Sequence, residues 1–241
     1  MIDKLLEASE VSARLEPGVH GHAMENRKAI EADWAKRSAQ NSHLFNGATV
    51  LATHWSLSGG RLEIVCREID FATMLHWLAA YGRASEAQAR KTLPPAGEIH
   101  FFASAAIVGS DDRVLVARMA AHTYNGGLVY MPSGSFEPSD FVGDEADFAG
   151  NMRREVWEET GIDLAKASVE DGYRVYYGGS FLAPFRVYRF DVPASELVDQ
   201  ANAYLTRGAD DELAGVMAVA PGEVLPEMPR HVRAFMQASK G

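Results

Sequence analysis

The chain has 241 residues, 47% hydrophobic and 23% charged, the balance of a globular protein with room for one large domain or two small ones. A formal net charge of -10 argues against binding a nucleic acid polymer, which relies on basic surface; a small anionic substrate stays open, because a bound cation inverts the sign of a local site. The single cysteine, Cys66, excludes an internal disulfide, argues against a cysteine-based zinc site and fits a reducing compartment.

The opening stretch MIDKLLEASEVSARLEPG mixes charges from its third residue and lacks the basic start and apolar run of a secretory signal. No stretch approaches the ~18 to 20 apolar residues that span a bilayer. The expectation is a soluble cytoplasmic protein with no membrane partner. Residues 24–42 read as a helix, with Ile30 and Trp34 at helical spacing. ATVLATHWSLSGGRLEIVCREI reads as two strands around a Ser-Gly-Gly turn, with Cys66 a small buried hydrophobe in the second. In DFATMLHWLAAYG, Asp70 is suited to cap a helix that points Met74, Leu75 and Leu78 inward and stops at Gly82. ASEAQARKTLPPAGE reads as a polar helix running into Pro94-Pro95, and the double proline sets the domain boundary: an extension over 1–95 and a second domain over 96–241.

Beyond it, IHFFASAAIVG and RVLVARM read as strands around an SDD turn. AHTYNGG is a loop, and LVYMPSGSFEPSD passes from a strand into a Pro/Gly/Ser turn. EADFAGNMRREVWEETGI is a helix stopped by Gly161. YRVYYGGSFLAPFRVYRFDV holds two strands around a Gly-Gly or Ala-Pro break. ELVDQANAYLT is a helix, ELAGVMAVAP a strand and PEMPRHVRAFMQAS a closing helix. Strands in the middle with flanking helices make an α+β or α-β-α sandwich pattern.

Within that helix, Glu155, Glu158 and Glu159 crowd one face. At about 100° per residue, Glu159 lies about 40° to one side of Glu155 and Glu158 about 60° to the other. Like charges so placed repel. They form either a solvated acidic face partnered by Arg153 and Arg154, or an oxygen-rich site for a hard divalent cation such as Mg²⁺.

The run REVWEETGI (154–162) resembles the second half of the box that defines the Nudix hydrolases. The first half is looser. Gly134 of PSGSFEPSD matches its opening glycine and Asp140 falls where a glutamate is usual, but fourteen positions separate Asp140 from Arg154 instead of eight. The resemblance implies an insertion there and leaves Asp140, Glu145 and Asp147 open as the first acid. It implies a Nudix α-β-α sandwich with a mixed central sheet, preceded by a small α/β extension. It also implies that Glu155 and Glu159 are the main Mg²⁺ ligands, with Mn²⁺ as a substitute, and that Glu158 is a further or water-held ligand. Arg154 is then the residue orienting a glutamate through a charged hydrogen bond. The backbone at Ser133 and Gly134 completes the metal shell, glycine letting it pass close. Arg154, Glu155 and Glu158 carry catalysis with a base from the loop GADDEL, Glu212 ahead of Asp211.

The reaction so implied is hydrolysis of a diphosphate linkage in a nucleoside diphosphate joined to a second group. In the extension, Trp34, then LFNG (44–47), a hairpin and Asp70-Phe71 come in an order that resembles the extension of UDP-sugar diphosphatases, which implies UDP-glucose-like substrates split to UMP and a sugar 1-phosphate. Phe136, Tyr130 and Tyr177, with Tyr124 and Phe181, are candidates to stack a base. The alternatives are another nucleotide (ADP-ribose, a dinucleotide, a nucleoside triphosphate) and a catalytically silent nucleotide-binding sensor. The extension reads as a lid, a substrate wall or the contact of a homodimer.

Overall fold

The structure is a computed structural model and describes residues 3–82, 95–208 and 211–239. The polar helix expected ahead of Pro94-Pro95 lies outside the described residues. Strands β1 (Lys4–Ala8) and β2 (Glu10–Leu15) precede helix α1 (Gly21–Gln40). The hairpin of β3 (Ala48–Ser58) and β4 (Arg61–Asp70) leads into α2 (Phe71–Ala80). Then come β5 (His100–Val108), β6 (Val114–Met119), β7 (Val129–Tyr130), β8 (Ser133–Ser135), β9 (Phe141–Val142) and β10 (Glu145–Ala146). Helix α3 (Phe148–Thr160) is followed by β11 (Ser168–Val169), β12 (Tyr173–Gly178), β13 (Phe181–Arg189), α4 (Ala194–Leu205), β14 (Leu213–Val219) and α5 (Arg230–Ala238).

Among the described residues, nine strands form one sheet whose main path runs β1-β12-β13-β5-β6-β14, with β11, β7 and β8 beside it. β13 and β5 are parallel and their neighbours antiparallel. A second sheet runs β3-β4-β2-β10-β9, with β2 and β4 parallel. The fold is thus α+β with mixed sheets, as expected. An Ala52–Ile99 bridge joins the two sheets.

The apolar run of β5 follows from its position. Side chains alternate faces along a strand, and here both faces are covered. Phe101, Ala103, Ala105 and Ile107 enter one core with Met152 and Val156 of α3 and Leu197 of α4. Phe102, Ala106 and Val108 enter another with Val232, Phe235 and Met236 of α5. This is the layered sandwich. Met74 and Trp77 of α2 close a third cluster over Leu51 and Ile69, and Asp70 caps that helix by accepting from Thr73 N at 2.8 Å. Cys66 is buried, and burial pushes its thiol up to about 12, so it acts as the small hydrophobe expected.

One local expectation is corrected, one open alternative is decided, and two strands are added. The helix expected from Glu145 begins at Phe148, because Glu145 and Ala146 pair as a strand with β9, and Glu145 pairs with Arg14 of β2 as well. Within 173–192 the chain turns at Gly179-Ser180 and not at Ala-Pro. Pro184 sits inside β13, and the parallel ladder to β5 skips residues 183–184, where proline has no N–H to give. The opening residues, to which the sequence reading assigned no element, supply β1 to the larger sheet beside β12 and β2 to the smaller one.

Candidate active site

Helix α3 is positioned by its apolar stripe. Phe148, Met152, Val156 and Thr160, four apart, are buried. Asp147 starts the helix by accepting from Gly150 N at 2.8 Å. Gly161 ends it in the left-handed region at φ 65°, where a side chain would also strike the Tyr204 ring. With that stripe fixed in the core, the neighbouring ridge of Asn151, Glu155 and Glu159, again four apart, lies along the core's edge and turns towards β8.

Three contacts order that ridge. Asn151 Nδ2 donates to Asp140 Oδ2 at 3.0 Å. The Glu155 carboxylate lies against Gly134 so closely that a Cβ on Gly134 would stand 1.9 Å from Glu155 Cδ. Arg154 reaches three acids: Asp140 at 3.0 Å, Glu155 at 2.8 Å and Glu158 at 3.1 Å. Asp140 is buried and also accepts from Glu137 N at 2.9 Å. Of the three acids left open as partner of the box, Asp140 is therefore the one that meets Arg154. Asp147 is the helix cap and Glu145 lies in β10.

Burial is the first cause that lifts Glu155, and Glu158 and Asp140 add repulsion against the pull of Arg154, so its carboxyl stands at about 7. Burial opposes the charge on Arg154, but Glu155, Asp140 and Glu158 together hold it above the usual arginine value.

Glu155 and Glu159 line one large cavity, of about 1740 Å³, together with Ser133, Gly134, Asp211 and Glu212. Glu158 does not. Its side chain is 58% exposed and turns to Arg154, so among the described residues the three helix glutamates do not converge as a set of three. The residues that remain fit a hard divalent ion: two carboxylates beside a glycine backbone form an all-oxygen donor set, and the missing Cβ of Gly134 leaves the room that Glu155 occupies.

Of the aromatic candidates, Tyr130, Tyr124 and Phe181 line the cavity. Phe136 does not: it is fully buried among Phe101, Phe141 and Phe148 and offers no face to a ligand. Nor does Tyr177, which packs on Trp55 with ring centroids 4.8 Å apart. The two-residue period of β12 points Tyr176, and not Tyr177, into the cavity. Two buried histidines also stand in the wall: His100, which reads from sequence as an ordinary surface or core histidine, and His231, which sequence reasoning missed; they lie about 130 positions apart with no spacing signal between them.

A family model described as NUDIX domain matches residues 100–238. The chain belongs to the NUDIX family, and with the retained carboxylate helix it is a pyrophosphohydrolase. Among solved structures, it is similar to DR0079 from Deinococcus radiodurans at 12% identity and a TM-score of 0.43, covering 60% of this chain and 92% of that one. It is similar to a MutT protein from Methanosarcina mazei Go1 at 19% identity and a TM-score of 0.40, covering 58% and 91%. It is similar to an Ap4A hydrolase from C. elegans at 13% identity and a TM-score of 0.42, covering 57% and 92%. Likenesses of this size speak to no particular substrate. A comparison with curated proteins gives no match. Among the described residues, no helix is long and apolar enough to cross a membrane.

Proposed function

We propose that this chain is a Mg²⁺-dependent diphosphatase that splits a nucleoside diphosphate joined to a second group, with a UDP-sugar such as UDP-glucose as the substrate class and UMP and a sugar 1-phosphate as products. The observation that carries the reading is that Glu155 and Glu159 of α3, the Gly134 backbone and Glu212 ahead of β14 all line one cavity. In this reading Glu155 and Glu159 hold the ion, with the backbone at Ser133 and Gly134 beside them. When bound, the ion neutralises charge on the phosphoryl oxygens and lowers the pKa of a water. Arg154 keeps Glu155 facing Gly134 and is itself held by Asp140. Glu158 acts through Arg154. Glu212 takes the proton from the attacking water.

The sugar assignment rests on the extension. Phe45 and Thr49 of residues 1–95 line the same cavity as Glu155, so the extension walls the substrate while 96–241 supplies the chemistry. Tyr130 and Phe181 are the rings placed to pack on a base. The cytoplasm is the proposed place of work.

The test is hydrolysis of a panel of nucleoside diphosphate compounds with Mg²⁺, wild type beside Glu159→Gln. UDP-glucose cleavage that falls at least about 100-fold in the variant supports the reading. Preference for ADP-ribose, a dinucleotide or a nucleoside triphosphate overturns the sugar assignment and leaves the diphosphatase. Absence of any cleavage, with a nucleotide still raising the melting temperature, overturns the enzyme reading in favour of a binding module.

A further inference from the structure

At the mouth of the cavity, three loops bring together a donor set unlike the glutamate helix. His43 comes from the segment between α1 and β3, His122 from the loop between β6 and β7, and Asp211 from the approach to β14. One ligand atom from each lies within 4.8 Å of the others. The two imidazoles stand with ring centroids 5.1 Å apart, and His122 Nε2 is 3.8 Å from Asp211 Oδ2.

A single asparagine holds both histidines in place. Asn41 ends α1, its N–H donating to Arg37 O at 2.9 Å. Its side-chain amide donates to His122 O at 3.2 Å, and its Oδ1 accepts from His43 N at 3.0 Å. The backbone that carries each imidazole is therefore tied to the end of the same helix.

We propose that His43, His122 and Asp211 form a second metal site, for a borderline divalent transition ion such as Zn²⁺, separate from the oxygen site on α3. Imidazole with one carboxylate suits such an ion, whereas Mg²⁺ keeps to carboxylates, water and phosphate. Three protein ligands leave a fourth position, and all three residues line the cavity. A tetrahedral ion with bonds of about 2.0–2.1 Å sets its ligand atoms roughly 3.4 Å apart, so these exposed side chains close by an ångström or so on binding. The ion ties the extension to two loops of the catalytic unit across the cavity mouth. The inference needs only these residues and stands whether or not the chain cleaves UDP-sugars.

The test uses the full chain without a histidine tag, stripped with a chelator and kept in excess Mg²⁺. Co²⁺ is titrated by calorimetry and visible absorption, with Zn²⁺ as competitor. The expected result is one saturable equivalent with an intense tetrahedral-type band, displaced by Zn²⁺ and accompanied by a Zn²⁺-dependent rise in melting temperature. Both signals disappear in His122→Ala and Asp211→Ala and persist in Glu155→Gln. Asn41→Ala, which leaves all three ligands, weakens binding about tenfold, as loss of a residue that orients ligands does. Binding that is unchanged in His122→Ala, that is lost in Glu155→Gln, or that never saturates overturns the proposal.

Discussion

Gly134 and Glu155 fit together as backbone and carboxylate: an added Cβ on Gly134 would lie 2.0 Å from Glu155 Oε1 and 2.5 Å from its Cγ. That distance leaves no rotamer adjustment short of moving Glu155 or strand β8, and β8 is fixed by its pairing to β5 through Ala103. Gly134→Ala is therefore expected to push the carboxylate out of the cavity. Overpacking of this kind destabilises by about 1–3 kcal/mol, and a displaced ligand of an ångström lowers turnover on the order of 100-fold. Urea unfolding and steady-state kinetics on the same preparation check both. A variant with wild-type turnover would refute the idea that the close approach serves catalysis.

Asp140 anchors the guanidinium that reaches Glu155. Asp140→Ala strands Glu137 N–H, Asn151 Nδ2 and one side of Arg154. The expected loss is about 2 kcal/mol, less than for a fully buried pair because Arg154 keeps water and two other carboxylates. Turnover falls as well, since Arg154 is then free to swing wholly onto Glu155 and Glu158. Thermal melts with and without substrate analogue measure the first effect, and kcat the second. Stability lost with kcat intact would make Asp140 a purely structural residue.

Much of this site was legible because helix physics is local. The helix and its Glu155–Glu159 ridge follow from a 3.6-residue period and the Gly161 stop from helix capping, and the structure keeps them. What was not legible depends on chain segments meeting in space. Asp140, Glu145 and Asp147 were equal candidates until a 3-10 turn at Pro138–Asp140 carried one of them under Arg154. Tyr176 and Tyr177 were indistinguishable because the residues around them are buried on both faces of β12, so alternation gave no phase. Phe136 sat in a turn-rich stretch where base stacking and core packing were both open, and Phe141 of β9 and Phe148 of α3 pack on its ring. Strand β2 alternates Val11, Ala13 and Leu15 with Glu10, Ser12 and Arg14, a short two-residue period that the reading passed over, whereas β1 does not alternate and owes its state to the edge of β12 that it completes.

Removal of divalent ions should reveal what the Glu155 carboxylate costs. It is largely buried, its repulsion comes from Glu158 and Asp140, and it stands at about 7. In chelator-treated protein at pH 8, Glu155→Gln is expected to be more stable than wild type by roughly 1–3 kcal/mol, since the amide is neutral in the same space. Mg²⁺ should then raise the melting temperature of the wild type and leave the variant nearly unmoved. Equal Mg²⁺ shifts in both proteins would remove Glu155 from the metal site.

His231 and His100 give the fold a pH dependence of predictable sign. Burial lowers His231 to about 3, with added repulsion from His100, and burial lowers His100 to about 4. His231 Nε2 and His100 Nδ1 are buried without a hydrogen-bond partner, so a proton there has nothing to receive it. The unfolded chain protonates both near 6.5. Below that value the unfolded state binds more protons than the native state, and stability falls as pH falls. It is fully present above about 6.5 and drains at about 1.4 kcal/mol per pH unit for each histidine until the native values near 4 and 3 are reached. His22, lowered to about 4 by burial and by His76 and His20, adds in the same direction. Glu155 works the other way between 7 and its ordinary value, because protonation relieves it. Denaturant midpoints from pH 7.5 to 5 should therefore be compared between wild type and His231→Gln, in which Glu155 is untouched. The variant is expected to lose stability overall and to show a slope smaller by about one proton. Parallel slopes in the two proteins would show that His231 stays neutral in both states, or is charged in both, and that its burial has no part in acid unfolding.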